Sequence, residues 1–188
     1  DSSLLVLLSH MYLLVLSASA AQPRPSRAPP LGWSSWYALG GKVNQSAMEE
    51  TFRKLANRSV KAGDNRSLVD VGYTFANMDD GWQDCGAGVN GSFHDAQGFP
   101  ILDPAKFSNV SAMTELARTL GLRSGFYVNN YICGSGECAG GVGGAQYTRV
   151  MHSTVAWLKQ HGYEYLKVDS GGCYNDMQLW HDLLLAVN

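Results

Sequence analysis

Residues 164–169 read Glu-Tyr-Leu-Lys-Val-Asp, an aromatic, aliphatic and β-branched run that ends on a charged pair. Such a run between turn residues is a strand signal. On its N-terminal side, Tyr147 to His161 repeats apolar residues at helical spacing and stops at Gly162; on its C-terminal side, Asp176 to Val187 is helical again. The same grammar recurs upstream. Leu31 to Trp36, Tyr73 to Met78 and Leu122 to Asn129 read as strands. A helix opens at Ser46, with Glu49 at capping-box spacing and Met48, Phe52 and Leu55 on one face, and another runs from Ser111 to Leu120 and stops at Gly121. Four βα units in a row predict a parallel sheet with right-handed crossovers.

Two architectures satisfy that pattern, an open doubly wound sheet and a closed (β/α)8 barrel. The open sheet announces itself by a glycine-rich phosphate turn after its first strand; here that turn holds Ser34, Ser35 and Trp36. Polar and aromatic residues instead collect at the C-terminal end of every strand: Trp33 and Trp36, Asp79 and Asp80, Tyr127 and Asn129, Lys167 and Asp169. A barrel gathers its active site at that end. The expected fold is therefore an α/β (β/α)8 TIM barrel, of which residues 31–188 supply about four βα units. A complete barrel takes roughly 200–250 residues, so the chain is expected to be the N-terminal half of a catalytic domain.

Composition narrows the function. Lys plus Arg number 14 against 16 Asp plus Glu, a formal charge of −2, and the cations form no basic stripe, which excludes an electrostatic nucleic-acid binder. With 45% hydrophobic and 16% charged residues, a disordered chain is excluded as well.

Residues 1–20 read as a secretory signal peptide: Leu4 to Leu16 is nearly continuous apolar sequence, too short for the ~20 residues of a spanning helix, and it runs into small residues ending at Ala20. No cationic segment precedes it, so the natural start is expected upstream of Asp1. Residues 21–30 form a Pro-rich linker. Five of the ten asparagines open Asn-x-Ser sequons, namely Asn44, Asn57, Asn65, Asn90 and Asn109, which favours a secreted or lumenal (lysosomal, vacuolar or cell-wall) route with no membrane attachment after signal removal. In that oxidising setting the four cysteines predict two disulfides, with three pairings open. No Cys-x-x-Cys or spaced His pair suggests a metal site.

Side chains alternate along a strand, so Lys167 and Asp169 face the same way, into the barrel mouth. An ammonium beside Asp169 would keep it ionised, as a nucleophile or electrostatic stabiliser requires; a structural ion pair at a strand end is the plainer alternative. Asp79 and Asp80 could accept hydrogen bonds from neighbouring sugar hydroxyls, with Trp82 offering an apolar face to the sugar's C–H side, although Asp-Gly turn chemistry explains the same residues. Trp36 reads as a core aromatic.

PPLGWSSW at 29–36, MDDGW at 78–82, LDPAKF at 102–107, GFYVNN at 125–130 and YLKVD at 165–169 together resemble glycoside hydrolase family 27, the α-galactosidases and their α-N-acetylgalactosaminidase relatives. The resemblance implies that Asp169 is the catalytic nucleophile of a retaining exo-glycosidase. It implies that Lys167, Asp79 and Asp80 bind hydroxyls of a terminal α-galactosyl residue, that Trp33 and Tyr127 line the pocket, and that Cys138 pairs with Cys173. Three residues, Ser170 to Gly172, separate Asp169 from Cys173, one more than the family pattern. The family's acid/base and the loops that sense the 2-substituent come from later strands, beyond residue 188. No metal or organic cofactor is implied. The alternatives are an α-N-acetylgalactosaminidase-like specificity or an inactive sugar-binding fragment.

Overall fold

The computed structural model describes residues 29–61, 63–133 and 144–187. The expected signal peptide and most of the linker lie outside them. Four strands, β1 (Gly32–Ser34), β2 (Phe75–Asn77), β3 (Arg123–Val128) and β4 (Tyr165–Val168), form one sheet in the order β1-β2-β3-β4, every pair parallel. Sequential order is the discriminating feature. A doubly wound sheet reverses direction at a switch point, whereas a barrel adds each strand to the last. The helices are α1 (Trp36–Leu39), α2 (Gln45–Leu55), α3 (Val110–Thr119), α4 (Ala145–Gln160) and α5 (Met177–Val187). The expected βα units are all present, and α1 is an extra turn inserted between β1 and α2.

Strand alternation sorts the side chains onto two faces. Ala76, Phe126, Val128, Leu166 and Val168 pack toward the helices, where Met48 and Phe52 of α2, Met113 and Ala117 of α3, Met151 and Val155 of α4 and Trp180 of α5 complete the core. The other face carries Gly32, Ser34, Phe75, Asn77, Tyr127, Tyr165 and Lys167. Gly125 belongs to this face too, and its lack of a side chain matters. A Cβ there would stand 2.6 Å from Asn77 Oδ1 and 2.8 Å from the Tyr165 ring. The glycine thus makes room for a polar side chain on one neighbouring strand and an aromatic one on the other.

Helix α2 is capped by Asn44 rather than opened at Ser46: Asn44 Oδ1 accepts from the Ala47 N–H at 3.0 Å, and Glu49 bonds the Gln45 amide instead of closing a capping box. The reason is positional. The chain leaves its extended geometry at Asn44 (φ −153°, ψ 166°), two residues earlier, which makes Ser46 an ordinary helical residue. Asn109 caps α3 in the same way, through the Ala112 N–H at 3.0 Å.

One disulfide, Cys85–Cys133, ties the loop after β2 to the loop after β3 with Cα atoms 5.3 Å apart. Cys138 lies outside the described residues, and so does the expected Cys138–Cys173 pairing. Among the described residues no cysteine is free.

Candidate active site

The segments that follow the four strands converge on one cavity of about 640 Å³. Trp33, Asp79, Asp80, Tyr127, Lys167 and Asp169, chosen from the sequence on strand-end logic and family resemblance, all line it.

Its polar floor is built around Asp79, which is 1% exposed. One carboxylate oxygen, Oδ2, accepts from Ser34 Oγ at 2.7 Å, Lys167 Nζ at 2.8 Å and, at the long limit, Asn77 Nδ2 at 3.4 Å. The other accepts from the Asp80 N–H at 2.9 Å. A buried carboxylate needs this number of donors to offset its desolvation. The donors come from β1, β2 and β4, so the ion pair is a tertiary feature spanning the sheet.

Here the structure corrects one expectation. Lys167 pairs with Asp79 rather than with its strand neighbour Asp169. The two do share a face of the strand, but the ammonium reaches across the sheet and also lies 5.1 Å from the Tyr127 ring centroid.

Asp80 is also buried, and both of its oxygens are engaged. Oδ1 accepts from the Gly81 N–H at 2.9 Å and Gln83 Nε2 at 2.7 Å, and Oδ2 accepts from the Tyr131 N–H at 3.0 Å. The chain turns sharply at Gly81 (φ +107°), in the left-handed region that glycine enters at no steric cost, and a Cβ there would meet Gly41 Cα at 2.7 Å.

Asp169 follows directly on β4, its N–H bonded to Val128 O at 3.2 Å. Its carboxylate accepts from the Ser170 N–H at 2.7 Å and from the Tyr127 hydroxyl at 3.2 Å. The single hydrogen of that hydroxyl is shared with Asn129 O, the nearer acceptor at 2.8 Å. Burial, then the nearby charges of Asp80 and Asp169, raise the Tyr127 pKa well above the ordinary phenol value. Tyr127 is therefore held as a hydrogen-bond donor across the working pH range.

The aromatic assignments need revision. Trp82 is buried, packs against Phe93 and Phe126, and donates its indole N–H to Tyr127 O at 3.0 Å; it belongs to the core and offers no face to a sugar. Trp36, read as core, is 41% exposed and lines the cavity from the start of α1. Trp33 reaches the cavity wall but also packs against the core. Sequence reasoning missed the polar Ser34 and Asn77 and the aromatic Tyr37, Phe75, Tyr131 and Tyr165, which also line the cavity. For Ser34 and Asn77 a signal existed: each sits on the inward-facing positions of its strand.

Of the sequon asparagines, Asn57, Asn65, Asn90 and Asn109 are exposed and Asn44 is half-buried as the α2 cap. Among the described residues no group of three His, Cys, Asp or Glu side chains is placed to hold a metal ion, and no helix is long and apolar enough to cross a membrane.

Comparison with known proteins agrees with this geometry. The family described as alpha galactosidase A matches residues 28–184. A probable alpha-galactosidase B of Aspergillus oryzae is 31% identical over 168 residues, covering 85% of this chain and 33% of that protein. Among solved structures, an alpha-galactosidase from Saccharomyces cerevisiae superposes with a TM-score of 0.60 at 20% identity, covering 85% of this chain and 33% of that one. A family 27 β-L-arabinopyranosidase from Geobacillus stearothermophilus gives 0.62 at 15% identity, covering 85% and 46%. The chain spans about a third of the length of the curated relatives it matches. With its sheet order, its strand-end residues and a family match over most of its length, the chain belongs to the alpha-galactosidase A family of glycoside hydrolase (β/α)8 barrels.

Proposed function

We propose that this chain carries the nucleophile half of the active site of a secreted, retaining exo-α-galactosidase. The observation that carries the reading is the convergence of Asp169, Lys167, Asp79 and Asp80 on a single cavity, from the ends of β2 and β4. The Lys167 ammonium has one hydrogen committed to Asp79, which leaves donors for sugar hydroxyls, and Asp79 Oδ1 and Asp80 Oδ2, each accepting one hydrogen bond, keep a lone pair for accepting from them. Asp169, oriented by Tyr127 and Ser170, attacks the anomeric carbon and forms a covalent glycosyl-enzyme. A second carboxyl group about 5–5.5 Å away protonates the leaving oxygen and then activates water; by the family resemblance it comes from a strand after residue 188. Two inversions at the anomeric carbon return the α configuration.

Secretion is supported by the apolar run before Ala20, by the surface placement of four sequon asparagines, and by the Cys85–Cys133 disulfide, which persists only in an oxidising compartment.

The test is hydrolysis of a terminal α-galactoside by the full-length protein, followed by NMR of the first-formed sugar. The expected product is α-galactose, with turnover lowered by a factor of about 10³ or more in Asp169→Asn. First release of β-galactose, or wild-type turnover in that variant, contradicts the assignment.

A further inference from the structure

Tyr131 combines two properties that rarely coincide. The residue is 69% exposed, yet the backbone from Tyr131 to Cys133 is held at each residue. Its N–H donates to Asp80 Oδ2 at 3.0 Å. The next two residues are held by Asn130, whose Oδ1 accepts from the Ile132 N–H at 2.7 Å and the Cys133 N–H at 3.2 Å. Cys133 is then covalently tied to Cys85. The ring itself lies against Gly171, so closely that a Cβ on that glycine would stand 2.1 Å from its Cδ2 and Cε2 atoms.

Gly171 belongs to the Ser170–Gly172 segment that follows Asp169. Tyr131 therefore bridges the rim of the cavity, its N–H on Asp80 and its ring against the segment just past Asp169, and it lines the same cavity as both. An aromatic face held still and left uncovered has already lost the freedom that binding would otherwise remove. Such a face suits the C–H side of a pyranose ring, an apolar surface with polar edges.

We infer that Tyr131 is the platform of a leaving-group subsite, taking the sugar to which the terminal galactose is attached. The inference rests on the glycosidase reading, since Asp79, Asp80 and Lys167 on the cavity floor take the galactosyl ring and leave the rim for its neighbour. Tyr131 makes the enzyme selective for galactosides whose aglycone is itself a sugar ring.

The test is calorimetric titration of free galactose and of an α-galactosyl disaccharide into the Asp169→Asn protein, which binds without turnover. The disaccharide is expected to bind about tenfold more tightly than galactose, a gain of the size of one aromatic contact. Tyr131→Ala, which keeps the backbone N–H on Asp80, should remove that advantage and leave galactose affinity within twofold. Tyr131→Phe should retain it, and Gly171→Ala, which pushes the ring off its seat, should reduce it. An unchanged disaccharide advantage in Tyr131→Ala overturns the platform. So does an equal loss for both sugars, because the residue would then act only through Asp80. Failure of both sugars to bind the full-length Asp169→Asn protein takes down the glycosidase reading as well, whereas galactose binding without a disaccharide advantage removes the subsite alone.

Discussion

Removing the Cys85–Cys133 crosslink, by the double change Cys85→Ala and Cys133→Ala, perturbs both the stability of the fold and the shape of the cavity rim. The bond closes a loop with a sequence separation of 48 residues. On the chain-entropy account, a loop of that length restricts the unfolded chain by an amount worth about 4 kcal/mol at 25 °C. Native-state relaxation works against this figure, because the bridged segments are also held by hydrogen bonds. Tyr131 N–H is bonded to Asp80, Asn130 Oδ1 holds the next two amides, and β2 and β3 are paired in register. The expected loss is thus about 3–4 kcal/mol, measured by guanidinium unfolding of the oxidised wild type against the double variant. The midpoint should fall, with a slope that rises if the unfolded chain expands once the loop opens. A loss below about 1 kcal/mol would refute the reasoning, since it would mean that residues 85–133 remain confined in the unfolded state without the bond.

Three further outcomes follow from single contacts. If the full-length protein has the proposed activity, Tyr127→Phe deletes the hydroxyl whose shared hydrogen reaches Asp169; a hydrogen bond to a charged group is worth about 1.5 kcal/mol, so kcat/KM should drop by up to roughly tenfold, and a change under twofold removes Tyr127 from the positioning role. Tyr163 is buried with no hydrogen-bond partner for its hydroxyl among the described residues, and burial raises its pKa. The folded protein then keeps a proton that the unfolded chain releases near pH 10, so this contribution is complete below pH 10 and is lost as the pH climbs above it. Tyr163→Phe should raise stability by about 1 kcal/mol at pH 7 and flatten the alkaline limb of the stability–pH curve; a less stable variant with an unchanged limb contradicts the assignment. Gly125→Ala should cost about 1–3 kcal/mol by thermal or chemical unfolding, because its Cβ meets Asn77 and Tyr165, and a neutral change would show that the strand ends are not packed as described.

Much of this architecture was legible in the sequence, for a physical reason. Strand and helix periods differ, so Glu164–Asp169 and the helices around it could be told apart by pattern alone, and alternation placed Lys167 and Asp169 on one side. What the pattern could not supply was any contact that depends on the third dimension. Lys167 meets Asp79, 88 residues away, because β2 and β4 are both strands of one curved sheet, and no local spacing encodes that meeting. The two tryptophans were exchanged for a similar reason. Trp82 follows a left-handed turn at Gly81 that swings it back into the core, and Trp36 begins a one-turn helix too short to show a period. The helix cap was displaced by two residues because Asn44 and Ser46 are both good caps and only the backbone angle at Asn44 decides between them. Tyr131 carried no signal of its own, since its placement depends on a disulfide that four cysteines left open among three pairings.

The proposed function requires that a carboxylate oxygen of Asp169 be the nucleophile that bonds to a galactosyl C1 inside this cavity. Incubating the full-length protein with 5-fluoro-α-D-galactosyl fluoride tests this most directly, because fluoride leaves without help from an acid and the ring fluorine slows release of the sugar. Peptide mass spectrometry should find the fluorogalactosyl mass on the peptide that contains Asp169 and on no other. The same mass on Asp79, on Asp80 or on a carboxylate outside the cavity would contradict it.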